Sequence, residues 1–143
     1  MIHNLSPVTG ANKWCGPAAL SALLGITTDE ALCRLENVIG SNRRTPEYST
    51  PLDMIAVLDD FGWRVARYKL FHHAVRPTLL RAVTDWMSDG GAYLVVTPTH
   101  FVACGGEKVA CSKNREPLAV SVGHPASGWS VVAIWKLIPP GSV

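Results

Sequence analysis

The sequence predicts an α+β domain in which an N-terminal helical lobe packs on a C-terminal antiparallel β-sheet. Three observations carry that expectation. Apolar residues recur at helical spacing, with cap signals at their ends, through 15–61 and again through 77–87. Runs of β-branched, aromatic and small apolar residues separated by glycines fill 92–112 and 129–137. Most helices precede most strands, the order of an α+β fold rather than of a wound parallel sheet. A chain of 143 residues supports one hydrophobic core, and no repeat, low-complexity tract or composition break divides it, so a single domain over 1–143 is expected.

Residues 1–14 read as a loop leading into the first helix, 15–24. Pro17 suits a first helical turn because its missing N–H would be unpaired there anyway. Ala18, Ala19, Leu20, Ala22, Leu23 and Leu24 favour helix, and Gly25 stops it. A second helix starts near Thr27 or Thr28, where Thr27 and Glu30 have capping-box spacing. It carries Leu32, Leu35, Val38 and Ile39 on one face and ends at Gly40. Polar residues and Pro46 make 41–48 a loop. The third helix opens at Thr50-Pro51, is expected to bury Leu52, Ile55, Leu58 and Phe61, and closes at Gly62.

Trp63 to Phe71 alternates as a strand, with Trp63 and Val65 on one side and Ala66 and Tyr68 toward the other. The fourth helix spans Pro77 to Met87 with a stripe of Leu79, Leu80, Val83, Trp86 and Met87, and Gly90-Gly91 breaks it. Strands are expected at 92–96, 100–104, 108–112 and 129–137. The stretch 114–128, with two prolines and two glycines, reads as a surface loop.

Chemistry concentrates at Asn12-Lys13-Trp14-Cys15-Gly16-Pro17-Ala18-Ala19-Leu20. Cys15 falls at a helix N-terminus, where unpaired N–H groups and the helix dipole favour an anion. Cysteines in such places serve as nucleophiles at neutral pH. Cys33, Cys104 and Cys111 sit inside a helix or strands, where a cysteine is ordinarily a small buried hydrophobe. His100, opening an apolar strand, is the candidate base, because a strand holds geometry better than a loop. His124, before Pro125 in the late loop, is its rival. The base needs an orienting partner. A turn at Gly105-Gly106 places Cys111 opposite His100; a turn one residue later places Lys113 there, with Asn114 just beyond. Asn114 and Ser112 are both candidates, since a one-residue slip changes the face presented.

In these residues the chain resembles the papain-like cysteine peptidase superfamily, above all its small bacterial and phage members and the bacteriocin-processing peptidases. Cys15-Gly16-Pro17-Ala18-Ala19-Leu20 is similar to the nucleophile motif, and Thr99-His100-Phe101-Val102 to the base motif. The resemblance implies a Cys15, His100 and Asn114 triad acting through a thioester acyl-enzyme on a peptide or protein substrate, with no metal or cofactor. It also implies an oxyanion hole that includes the Cys15 backbone N–H. Many superfamily members add a Gln before the nucleophile. This chain has no Gln at all, and Asn12 is the nearest amide. Transfer or deamidation on the same triad, or a papain-like binding or inhibitor module without activity, are the alternatives.

Other function classes find no footing. A net charge of +2, no basic run longer than Arg43-Arg44 and no aromatics interleaved with basic residues argue against a nucleic-acid partner. No cysteines have CxxC spacing, so neither a zinc site nor a thioredoxin-like motif is indicated, and so apolar a chain does not need a Cys104–Cys111 disulfide. Neither a signal peptide nor a run of about 20 apolar residues is visible. The expectation is a cytoplasmic protein without a membrane partner.

Overall fold

The structure, a computed structural model, describes residues 2–40 and 49–141. The loop expected at 41–48 lies outside the described residues. Four helices and six strands follow in the order α1 (Cys15–Leu24), α2 (Thr28–Ile39), α3 (Pro51–Asp60), β1 (Arg64–Leu70), α4 (Leu79–Trp86), β2 (Ala92–Val96), β3 (Phe101–Gly105), β4 (Lys108–Ala110), β5 (Leu118–Ala119) and β6 (Ala133–Ile138). The strands form one antiparallel sheet ordered β1-β6-β2-β3-β4-β5. The fold class is α+β. Among the described residues no helix is long and apolar enough to cross a membrane.

Helices start where local chemistry starts them. The Thr27 side chain accepts the Glu30 N–H at α2, and Thr50 with Asp53 closes a reciprocal capping box at α3, with Pro51 in the first turn. At α4 the cap is Thr78, whose hydroxyl accepts the Arg81 N–H, so this helix begins two residues later than its proline suggests. α1 ends on Gly25 at φ 74°, which glycine adopts without penalty.

The helices do not all lie on one face. α1, α2 and α3 cover one side of the sheet through Leu20, Leu35, Met54, Leu58, Leu94, Ala103, Ala110 and Leu137. α4 and the segment around Ala126 and Val131 cover the other, through Leu79, Val83, Met87, Tyr93, Val95, Val102, Val109 and Ile134. β2 and β3 are therefore buried on both faces, and this explains why they read as unbroken apolar runs. β1 is an edge strand exposed at every residue.

Several expectations are corrected. α3 turns Met54, Val57 and Leu58 into the core and leaves Leu52 69% exposed, so its buried stripe is rotated from the Leu52, Ile55, Leu58, Phe61 series. Packing against α1 and α2 selects the face, and Met54 was not counted among the apolar positions. Trp86, placed in the buried stripe of α4, is 38% exposed. A short strand, β5, occupies part of the expected surface loop. The last strand begins at Ala133 rather than 129 because Val131 N–H bonds Pro77 and Trp129 C=O accepts Leu79 N–H, tying that stretch to the start of α4.

The β3–β4 hairpin turns at Gly106-Glu107, with φ of 57° and 63°, the left-handed pair required at a two-residue hairpin. Gly105 remains in the strand, where a side chain would meet the His3 carbonyl oxygen at 2.8 Å. Cys104 pairs with Val109, and both Cys104 and Cys111 are free thiols. Burial pushes the Cys104 thiol up to about 12, so it is held as a neutral core group.

Candidate active site

α1 presents an open N-terminus. Trp14 occupies the cap position in extended backbone and no side chain caps the helix. Pro17 brings no N–H, so the Cys15 and Gly16 N–H groups remain at the open end of α1. Gly16 lets this end pack closely: a side chain there would meet Met54 Sδ at 3.4 Å and Leu35 Cδ1 at 3.6 Å. Cys15 is half-buried.

The loop before Cys15 is held from two directions. Asp29, in the first turn of α2, accepts the Ala11 and Asn12 N–H groups at 2.9 and 3.2 Å. Arg115 donates to the Gly10 and Asn12 carbonyls at 3.1 and 3.2 Å. Gly10, at φ 109°, admits the close approach, since a side chain would sit 2.5 Å from Thr28 Oγ1. Asn12 forms a turn of its own, its Oδ1 accepting the Trp14 N–H at 3.0 Å.

His100 comes from the β2–β3 connection and stands one residue short of β3. Thr97 and His100 close this connection: Thr97 N–H donates to the His100 carbonyl at 2.9 Å, and His100 N–H donates to Thr97 Oγ1 at 2.9 Å. α1 packs on β3, and the same contact carries the helix start to this turn. Cys15 and His100 consequently line one cleft of about 350 Å³ with Ser49, Val96, Thr97, Pro98, Thr99 and Phe101.

The indole of Trp129 stacks on the His100 ring, with centroids 4.8 Å apart and planes 18° from parallel. The His100 Nδ1 is buried and has no hydrogen-bond partner among the described residues, so Nε2 is the nitrogen left for proton exchange. Partial burial lowers the His100 pKa below the ordinary imidazole value, and the nearby Lys113 ammonium adds to the lowering.

The expected site residues are only partly gathered. Cys15 and His100 share the cleft; Asn12 and Asn114 are not among its lining residues. The carboxamide of Asn114 points its Nδ2 at Cys111 Sγ, at 3.8 Å, and the Asn114 backbone carbonyl accepts the Cys111 N–H. The structure thus places Asn114 against Cys111, and no hydrogen bond joins it to His100 Nδ1. The hairpin pairing ends at Ala103 and Ala110, and the chain then turns, with the Cys111 N–H on the Asn114 backbone carbonyl, so strand register does not carry Asn114 to His100. His124 is buried away from this cleft, its Nδ1 accepting the Ala126 N–H at 3.0 Å in a tight turn.

Trp129, Asp29 and Arg115 were not singled out from sequence. Nothing local marks them: each acts on a residue 17 or more positions away.

Two other hollows, of about 330 and 450 Å³, lie at the other end of β2 and hold no cysteine. Asp89 lies at both. It accepts the Tyr93 hydroxyl at 2.9 Å, the Gly91 N–H at 2.9 Å and the Lys136 ammonium. Burial pushes its carboxyl up, but these bonds outweigh it and hold the carboxyl at about 2. Among the described residues no three metal-ligating side chains converge. Comparison with protein-family models, with curated proteins and with solved structures finds no match to this chain.

Proposed function

We propose that the protein is a cysteine hydrolase of the papain-like type, acting on a peptide or isopeptide bond through Cys15 and His100. The observation that supports it most is the shared cleft: the half-buried thiol at the open end of α1 and the imidazole of the β2–β3 turn line the same hollow. His100 Nε2 takes the thiol proton, and the Cys15 sulfur attacks the substrate carbonyl carbon. The Cys15 N–H, with Gly16 N–H or the Asn12 amide NH2 as second donor, stabilises the oxyanion. The imidazolium returns the proton to the leaving amine as the C–N bond breaks and a thioester remains. Water, deprotonated by His100, then cleaves the thioester to a carboxylate and the free thiol. Stacking by Trp129, rather than a hydrogen bond at Nδ1, holds the ring in line.

Iodoacetamide labelling at pH 6 followed by peptide mapping tests this reading. Cys15 is expected to label first and well ahead of a free thiol in the unfolded chain. First labelling at Cys33, Cys104 or Cys111 overturns the assignment. A Cys15 no faster than an unfolded thiol favours an inactive binding module on the same fold.

A further inference from the structure

β1 ends the sheet on one side, pairs only with β6 and is exposed at every residue. Its pairing is regular from Arg67 to Leu70, past an irregularity at Val65/Arg67. The Phe71 N–H donates to the Val132 carbonyl at 2.9 Å, so by antiparallel alternation Lys69 and Arg67 turn their backbone groups toward β6. The N–H and C=O groups of Tyr68 and Leu70 therefore face outward at the open edge. The same alternation puts the side chains of Arg67, Lys69 and Phe71 on the α4 face, where Phe71 is buried.

This edge is basic. β1 carries Arg64, Arg67 and Lys69 and no acidic residue. On the α4 face, Arg67 and Lys69 line the hollow of about 330 Å³ together with Lys136, Asp85, Trp86 and Tyr93. Arg67 stands directly opposite Lys136, a like-charge pair that costs a sheet stability. Asp89 takes up the Lys136 ammonium, and Asp85 accepts the Arg81 Nε–H at 2.8 Å, so both carboxylates of the hollow are engaged. Neither Arg67 nor Lys69 has a carboxylate partner among the described residues; the Lys69 ammonium lies over the Phe71 ring, 5.5 Å from its centroid.

We propose that the outer edge of β1 binds an extended acidic peptide as an additional strand, with two carboxylates of that peptide, two residues apart, on Arg67 and Lys69. The outward backbone groups of Tyr68 and Leu70 supply the pairing. Side chains of the added strand that stand opposite Arg67 and Lys69 share their face, so acidic groups at alternate positions each meet a cation. An anion there also relieves the repulsion between Arg67 and Lys136. A second copy of β1 would bring two basic strands together, so charge selects an acidic partner over self-pairing. None of these residues lines the Cys15 cleft, and the inference stands independently of the hydrolase reading.

The probe is a capped, dye-labelled hexapeptide alternating Val and Glu, read by fluorescence anisotropy with the parent protein and with Cys15→Ala, which leaves the peptide uncut. It is expected to bind both proteins saturably, and its counterpart with Lys in place of Glu is not. Replacing Arg67 and Lys69 together with Gln is expected to weaken binding roughly two- to thirtyfold, the span of two exposed charge pairs, and about 0.5 M salt to weaken it in the parent. Both side chains are exposed, so circular dichroism of the double variant should match the parent. Methylating every second backbone nitrogen of the peptide separates pairing from charge: one phase removes the donors to β1 and is expected to abolish binding, and the other leaves them and is expected to be tolerated. No binding of the Glu peptide, equal binding by the Gln variant, or an equal effect of both methylation phases overturns the proposal. A concentration-dependent dimer that excludes the peptide gives the edge to a second copy and overturns it as well.

Discussion

Replacing Trp129 with Ala removes the aromatic stack on the His100 ring. The magnitude follows from the geometry. At 4.8 Å and 18° the two rings are stacked, and such pairs contribute about 0.5–1.5 kcal/mol beyond their buried area. With Nδ1 unpartnered, no hydrogen bond at that nitrogen opposes rotation of the ring. Its productive orientation should lose roughly two- to twelvefold in population, at about 1.4 kcal/mol per factor of ten. The indole also keeps water from the imidazole, whose pKa is lowered chiefly by burial. Its removal should move the His100 titration upward toward the ordinary imidazole value.

The assay is the rate of Cys15 alkylation by iodoacetamide as a function of pH. Trp129→Ala is expected to react severalfold more slowly at its plateau, with the low-pH inflection moved up. Trp129→Phe keeps an aromatic face and should stay within about twofold of the parent. The backbone bonds of residue 129 to Ala126 and Leu79 survive either change, so circular dichroism should show a native fold. If Trp129→Ala matches the parent in both rate and inflection, stacking does not orient the base. If Trp129→Phe is as slow as Ala, the indole acts through something other than its face.

Three other outcomes are expected. His100→Ala should remove about 10²–10⁴ of any hydrolytic rate together with the low-pH reactivity of Cys15, whereas Asn114→Ala should leave that reactivity within about twofold, because its carboxamide lies on Cys111; equal losses in the alkylation profile would return Asn114 to the base. Cys15→Ala should abolish labelling at pH 6 yet lower stability by less than about 1 kcal/mol in urea denaturation, since the thiol is half-buried at a helix end; a loss near 3 kcal/mol, as for a core cavity, would make Cys15 a packing residue. Acid should destabilise the fold in two stages, read as melting temperature against pH. The His3 and His100 pKa values are lowered, so the unfolded chain binds protons first and stability falls as pH drops below about 6.5; the Asp89 carboxyl then costs stability between its ordinary 3.8 and about 2. His100→Gln with His3→Gln should flatten the first stage, and a first stage that persists in the double variant refutes the assignment.

Features set within four residues of their cause were legible in the sequence. Pro17 and Gly25 bracket α1 and so place Cys15 at its start; Thr27 and Thr50 cap α2 and α3 with side chains that reach only the next turn. The cysteine and histidine that share the cleft were legible for the same reason, one opening a helix and the other next to the start of a strand. The hairpin was legible, but not its register: the adjacent glycines favour a turn at Gly105-Gly106, whereas Gly105 is claimed by the close passage of His3 and the turn falls on Gly106-Glu107. What the tertiary structure alone decided is how distant segments meet. The Trp129 indole lies on His100 because 126–131 is pinned to the start of α4; Asp29 and Arg115 grip the loop before Cys15 from α2 and from beyond β4; and Asn114 falls to Cys111. Periodicity and caps report local backbone preference. A stack or a tether between loops depends on where the chain returns, and packing on both faces of the sheet settles that.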